Sequence, residues 1–181
     1  MVYVFLADGF EDVEAIAPID ILRRAGAEVV TVGVTGKQIT TSHNIPIIAD
    51  ITVDEIKLGD DLEMIILPGG MPGTTNLENS SEVQAAIDFC YESKKYIAAI
   101  CAAPSILGHK GLLTGIKATC FPGVESALSG SAYMPKLVIH DGIFITGKGP
   151  GAAFKFGFKL AELLCGKEKS LAVETNMQCR E

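Results

Sequence analysis

Short apolar runs alternate with longer amphipathic stretches along most of this chain. Val2 to Ala7 is continuously apolar and rich in β-branched and aromatic residues, as a central parallel strand should be. Asp8-Gly9-Phe10 breaks the run. Glu11 to Ala25 then reads as a helix, with Gly26 at its C-terminal cap and Arg23 and Arg24 in the last turn. Pro18 lies inside that span, removes the hydrogen bond to the Glu14 carbonyl and predicts a kink. Glu28 to Val34 is a second strand, followed by a Gly36-Lys37 turn and extended pieces near Ile39 and from Ile45 to Ile48. Leu62 to Leu67 is another strand, stopped by Pro68-Gly69-Gly70, and Ser80 or Ser81 caps a helix reaching Ser93. Tyr96 to Ile100 is a strand ending on Cys101, where Pro104 fits the first turn of a helix. Ile116 to Cys120 and Leu137 to Thr146 supply short strands, the second a hairpin about Asp141-Gly142. Gly147 to Gly151 leads into a long helix, Ala152 to Leu164, and a short helix from Glu168 to Met177 follows.

This alternation predicts an α/β fold, a doubly wound, mostly parallel sheet with helices on both faces. No repeat, low-complexity stretch or linker interrupts the 181 residues, so residues 1–181 form one domain. Apolar residues make up 48% and charged ones 20%, which excludes a disordered chain. A net charge of −7 leaves no basic stripe, which argues against nucleic acid and anionic membranes as partners. No apolar run is long enough for a membrane span. The five cysteines, Cys90, Cys101, Cys120, Cys165 and Cys179, are odd in number, widely spaced and without a C-x-x-C pair. That usage points to a reducing compartment rather than to disulfides or structural zinc. Met1-Val2-Tyr3 opens directly into a strand with no basic leader, so a cytoplasmic protein is expected.

The chemistry-bearing residues follow strand ends. In an open α/β sheet, the loops after the strands share one rim, and ligands bind there. The first such loop carries Glu11, Asp12 and Glu14, the second carries Gly69-Gly70, and the third carries Cys101. A residue on so tight a strand-to-helix turn, a nucleophile elbow, sits in a strained backbone with its side chain over the sheet end. The following helix start favours thiolate over thiol, so an ionised Cys101 is expected. The glycine pair permits close backbone approach and amides aimed at an oxyanion. A carboxylate beside a thiol can give or take a proton. Each piece has an ordinary alternative: a buried cysteine packs as a small hydrophobe, glycine pairs make turns, and acids favour helix starts. Their shared rim is what favours a site.

The pieces A-D-G-F-E-D-V-E-A, P-I-D-I-L-R-R-A-G, L-P-G-G, A-A-I-C-A-A-P and G-P-G resemble the ThiJ/PfpI superfamily over essentially the whole chain. Within it they are most similar to the protein deglycase or glutathione-independent glyoxalase branch, to which the Parkinson-associated redox protein belongs. The resemblance implies a flavodoxin-like sheet of the class I glutamine-amidotransferase type and a homodimer. It also implies a nucleophilic Cys101, Glu14 bonded to its sulfur, and an oxyanion pocket from the Gly70 and Ala102 amides. Glu11 matches a second acidic position near the site or the dimer contact, and Gly69, Phe121 and Pro150 shape the pocket. Related dimers suggest Arg24, contributed by the partner subunit, as an anion-accepting edge helped by His43.

Two departures limit what carries over. The superfamily's protease-like and amidotransferase-like members place His after the nucleophilic cysteine, where this chain has Ala102, and no downstream His-x-Glu exists. A Cys-His protease or amidotransferase is therefore not expected. Some deglycase-like members carry T-H-P where this chain reads Cys120-Phe121-Pro122, so proton chemistry falls to Glu14. The implied reaction takes a small 2-oxoaldehyde, or an early glycation adduct, with no metal, flavin or nicotinamide. The rival implication is a redox sensor, in which Cys101 is oxidised to sulfinate and the dimer passes the signal to a partner or a chaperone activity.

Overall fold

The computed structural model describes residues 1–179, so the last two residues of the expected 1–181 domain lie outside the described residues. The first half contains β1 (Val2–Leu6), α1 (Asp12–Arg24), β2 (Val29–Gly33), the hairpin β3 (Gln38–Thr40) and β4 (Pro46–Ile48), and β5 (Ile51–Thr52). Next come β6 (Met64–Leu67), α2 (Gly73–Asn79), α3 (Ser81–Glu92), β7 (Tyr96–Ile100) and α4 (Pro104–His109). The chain continues with β8 (Lys117–Ala118), β9 (Ala132–Tyr133), β10 (Val138–Asp141) and β11 (Phe144–Gly147). It ends in α5 (Ala153–Cys165) and α6 (Lys167–Asn176).

Seven strands form the main sheet in the order β10-β11-β7-β6-β1-β2-β5. All neighbours are parallel except the β10–β11 hairpin at one edge. The mostly parallel, doubly wound expectation holds. Alternation along β1 explains the two layers: Val2, Val4 and Leu6 enter one core and Tyr3, Phe5 and Ala7 the other. The first core is closed by Ile19 and Leu22 of α1 with Phe156 and Leu160 of α5. The second is closed by Val83 and Ile87 of α3 with Ile106 and Leu107 of α4. Both faces of β1 are thus buried, which is why its sequence shows no polar alternation.

Several local expectations hold in detail. Ser80 caps α3, its hydroxyl accepting from the Val83 N–H at 3.3 Å. Past the end of α1, Gly26 N–H donates to Arg23 at 3.0 Å and Ala27 N–H to Leu22 at 3.0 Å, the paired bonds of a Schellman stop. Pro18, read as kinking the first turn of α1 or separating it from the rest, does not separate it, because α1 runs unbroken from Asp12 to Arg24. Dense packing of α1 against α5 holds it: an added methyl on Gly157 would stand 3.1 Å from Pro18 Cα. β8 does not join the main sheet but pairs with β9 in a small parallel ribbon. Among the described residues no helix is long and apolar enough to cross a membrane.

Candidate active site

The sheet reverses its winding between β1 and β6, and the carboxyl ends of β1, β6 and β7 open onto one crevice. Cys101 follows β7 directly. Its φ is +66°, a left-handed conformation that costs a non-glycine residue about 1–2 kcal/mol. The peptide is clamped from both sides: Cys101 N–H donates to the Gly147 carbonyl at 2.9 Å, and its carbonyl accepts from Phe121 N–H at 2.8 Å. These bonds tie the elbow to the end of β11 and to the loop after β8. Pro104 occupies the first turn of α4, as expected. The residue is 9% exposed, so the sulfur is reached only from the crevice.

Glu14 projects from the first turns of α1 and is fully buried. Its Oε2 accepts from the Gly69 N–H at 2.9 Å. Oε1 is buried without another polar partner, and the Cys101 thiol is the carboxyl's remaining hydrogen-bonding neighbour. Burial raises the Glu14 carboxyl to about 7, against the opposing hydrogen bonds from Cys101 and Gly69. The negative charge of Glu11 adds to the rise.

The same burial overturns the expectation of a standing thiolate. It pushes the Cys101 thiol up to about 12, and the Glu14 carboxylate adds to the rise through charge and hydrogen bonding. The Ala102 and Gly70 amides face the sulfur and pull the other way. Cys101 and Glu14 are therefore one proton-sharing pair, in which sulfur is ionised when the carboxyl takes its proton.

The glycine pair divides its labour. Gly69 spends its amide on Glu14, so it is not the oxyanion donor that a glycine beside the thiol suggests. A methyl there would lie 2.6 Å from both Cys101 Cβ and Glu14 Oε2, a space no side chain can share. Gly70, at φ +88°, turns its amide to the sulfur and crosses so near the first loop that a methyl would meet Glu11 N at 2.4 Å.

Glu11 flanks the pair, its N–H donating to the Gly69 carbonyl at 2.9 Å and its Oε2 accepting from Ser42 at 3.1 Å. His43 is exposed and pairs with Asp12, with Glu11 Oε1 3.8 Å away. The Asp12 hydrogen bond and then the Glu11 charge raise its pKa. Glu11, Asp12 and His43 form the one group of described residues with a cation's donor set, though the Asp12–His43 pair already engages two of them. Arg24 is not part of its own chain's site: it pairs with Asp20 at 2.9 Å, ten residues and about 15 Å of helix rise beyond Glu14. Phe121 and Pro150 line a hollow of about 320 Å³ with Pro122, Leu137 and Lys148. No histidine bonds Cys101: His109 is held by Glu78 and His140 by the Gly142 carbonyl. Cys120 is buried in the core beneath α4. The Gly147 and Phe121 clamps escaped the sequence, because main-chain donors and acceptors leave no residue pattern.

The chain is similar to Drosophila melanogaster Protein dj-1beta, 37% identical over 169 residues covering 92% of this chain and 90% of that one. Caenorhabditis elegans Glutathione-independent glyoxalase DJR-1.2 is 31% identical over 162 residues, covering 88% and 86%. Arabidopsis thaliana Protein DJ-1 homolog B is 36% identical over 172 residues, and the match spans 94% of this chain but 39% of that protein's length. The crystal structure of Drosophila melanogaster DJ-1beta superimposes with a TM-score of 0.93 at 35% identity, covering 98% of this chain and 96% of that one. With the family profile matching residues 1–163, the chain belongs to the DJ-1/PfpI family.

Proposed function

We propose that this protein is a cysteine-dependent enzyme acting on small 2-oxoaldehydes, or on the early glycation adducts they form, with no cofactor. The observation that carries this reading is the fully buried Glu14 carboxyl, one oxygen on Gly69 and the Cys101 thiol as its other partner. Cys101 Sγ adds to the aldehyde carbon as its proton passes to Glu14, and the new C–S bond yields an oxyanion facing the Gly70 and Ala102 amides. Glu14 returns that proton to the oxyanion, giving a neutral hemithioacetal. It then takes the proton from the carbon bound to sulfur and delivers it to the adjacent carbon through an enediol, while the hemithioacetal hydroxyl gives up its proton and the neighbouring carbonyl oxygen gains one. The resulting 2-hydroxy thioester is cleaved by water, which releases a hydroxy acid and restores the thiol. A relative that carries the name of a glutathione-independent glyoxalase supports the reaction class. Lactate formation from methylglyoxal tests it: Cys101→Ser and Glu14→Gln should each abolish turnover, and retained activity in either refutes the scheme.

One observation favours a second role for the same pair. A Glu14 carboxyl that keeps its proton up to about pH 7 can donate a hydrogen bond to an oxidised sulfur, stabilising sulfinate. A similar structure is described as Toxoplasma gondii DJ-1, oxidized. Stable single-site oxidation of Cys101 by mild peroxide with negligible aldehyde turnover would favour this sensing role. In either role the protein is read as a cytoplasmic homodimer, its contact made by the apolar face where Val13, Ile16, Ile45 and Phe154 stand exposed around a hollow of about 570 Å³. Arg24 would then reach an anionic substrate group only across that contact.

A further inference from the structure

Beside the elbow lies an apolar hollow that the reaction above does not use. Phe121 is 44% exposed and Leu137 45%, and with Pro122 and Pro150 they wall the cavity of about 320 Å³, Lys148 at its margin. Its volume is at the small end of the range for ligand sites. The hollow is joined to the nucleophile by main chain on two sides. Phe121 N–H is the donor to the Cys101 carbonyl, and Gly147, which accepts from Cys101 N–H, leads directly into Lys148-Gly149-Pro150. The Phe121 ring rests on Gly149, where an added methyl would stand 3.0 Å from the ring. The ring is thus held in place by bare backbone while much of it stays open to solvent. An aromatic ring left exposed and fixed on the residue bonded to the nucleophile's main chain offers offset or edge-to-face stacking to a second ring.

We propose that this hollow is a substituent subsite and that Phe121 determines specificity for carbonyl substrates bearing an aromatic or bulky apolar group. The proposal rests on Cys101 binding the carbonyl carbon, and it names the substrate class as aryl- or branched alkyl-2-oxoaldehydes rather than methylglyoxal. The carbonyl carbon is held at Cys101 Sγ, and the substituent lies over Phe121 against Leu137 and Pro150. Lys148 bounds the subsite on its solvent side.

The test separates recognition from turnover. Cys101 is alkylated in parallel with 2-bromoacetophenone and with bromoacetone, which place a phenyl or a methyl group on the same reactive ketone. Exposed Cys179 of the same chain, read by peptide mass spectrometry, supplies the intrinsic rate ratio of the two reagents. The phenyl-to-methyl ratio at Cys101 should exceed that at Cys179 roughly tenfold, about 1.4 kcal/mol of preference. Phe121→Ala, which keeps the N–H that clamps Cys101, and Leu137→Asn, on the opposite wall, should each lower the Cys101 ratio at least threefold. In turnover, the kcat/KM ratio of phenylglyoxal to methylglyoxal should fall in parallel. Equal ratios at Cys101 and Cys179, or a Cys101 ratio untouched by both substitutions, overturn the subsite. Absence of hydroxy acid from either aldehyde would sink the catalytic reading, while the alkylation ratios still decide the subsite.

Discussion

Replacing Glu14 with Gln should stabilise the protein at neutral pH while removing its chemistry. Gln has nearly the same shape, and its carbonyl can still accept from the Gly69 N–H. What changes is the charge. Folding raises the carboxyl from 4.5 to about 7, chiefly because its environment is dry. Between those values the native state binds more protons than the unfolded chain, so stability falls as pH rises through the window. The contribution is fully present below about pH 4.5 and lost by pH 8. At 1.36 kcal/mol per unit, the whole span is about 3 kcal/mol, of which about 2 falls between pH 5 and pH 7.5. Urea unfolding of wild type and Glu14→Gln at both pH values, at one protein concentration, reads out this group together with its coupling to Cys101, since the other titrating residues are common to the two proteins. The advantage of the variant over wild type should grow by about 2 kcal/mol between pH 5 and pH 7.5. A stability difference that is the same at both pH values would refute the buried, proton-holding carboxyl and, with it, the proton transfer assigned to it.

Other expectations follow from the same geometry. Gly69→Ala should destabilise by more than about 2 kcal/mol and abolish Cys101 alkylation, since its methyl would sit 2.6 Å from Cys101 Cβ; a folded, reactive variant would contradict the packing. The alkylation rate of Cys101 should rise with pH over a range that changes in Glu14→Gln, whereas the rate at exposed Cys179 should be the same in both proteins; identical Cys101 profiles would deny the shared proton. Ser80→Ala should cost about 1 kcal/mol in chemical unfolding through loss of the α3 cap. Ile16→Asp, on the exposed apolar face, should give a monomer by sedimentation at concentrations where wild type is a dimer, and an unchanged sedimentation coefficient would remove that face from the contact.

The parts legible in the sequence are those whose cause is local. Unbroken apolar character in Val2 to Ala7 and in Tyr96 to Ile100 records burial on both faces, and the structure places both in the middle of the sheet. Cys101 on its elbow was readable because a strand ending directly against Ala102-Ala103-Pro104 leaves one residue to make the turn. The missed elements have no such record. β5 and β9 are two-residue pieces fixed by their partners, and α2 begins with Gly73 and two threonines, poor helix formers that tertiary packing overrides. Pro18 misled for a related reason, since propensity predicts a break that the packing of α1 against α5 suppresses. The ionisation of Cys101 was misread because the sequence shows the helix start but not how dry the crevice is.

That dryness decides how the site works. An exposed thiolate would need no partner, and Glu14 would then only repel it. In a closed crevice neither group can hold a lone negative charge cheaply, and the proposed reaction would use this by moving the thiol proton to Glu14 only as a carbonyl carbon accepts the sulfur's electrons. In the proposed reaction, formation of the C–S bond would transfer the charge to an oxygen next to a sulfur that the Gly70 and Ala102 amides already face. The left-handed backbone at Cys101 and the close approach of the Glu14 carboxylate to the Cys101 sulfur are both unfavourable in the resting protein. They persist because the Gly147 and Phe121 bonds, the bare Gly69 and the packed strands leave the elbow no room to relax. On the proposed reading, activation would be conditional on a substrate rather than standing, and such a thiol should react faster with a bound carbonyl than its resting pKa suggests.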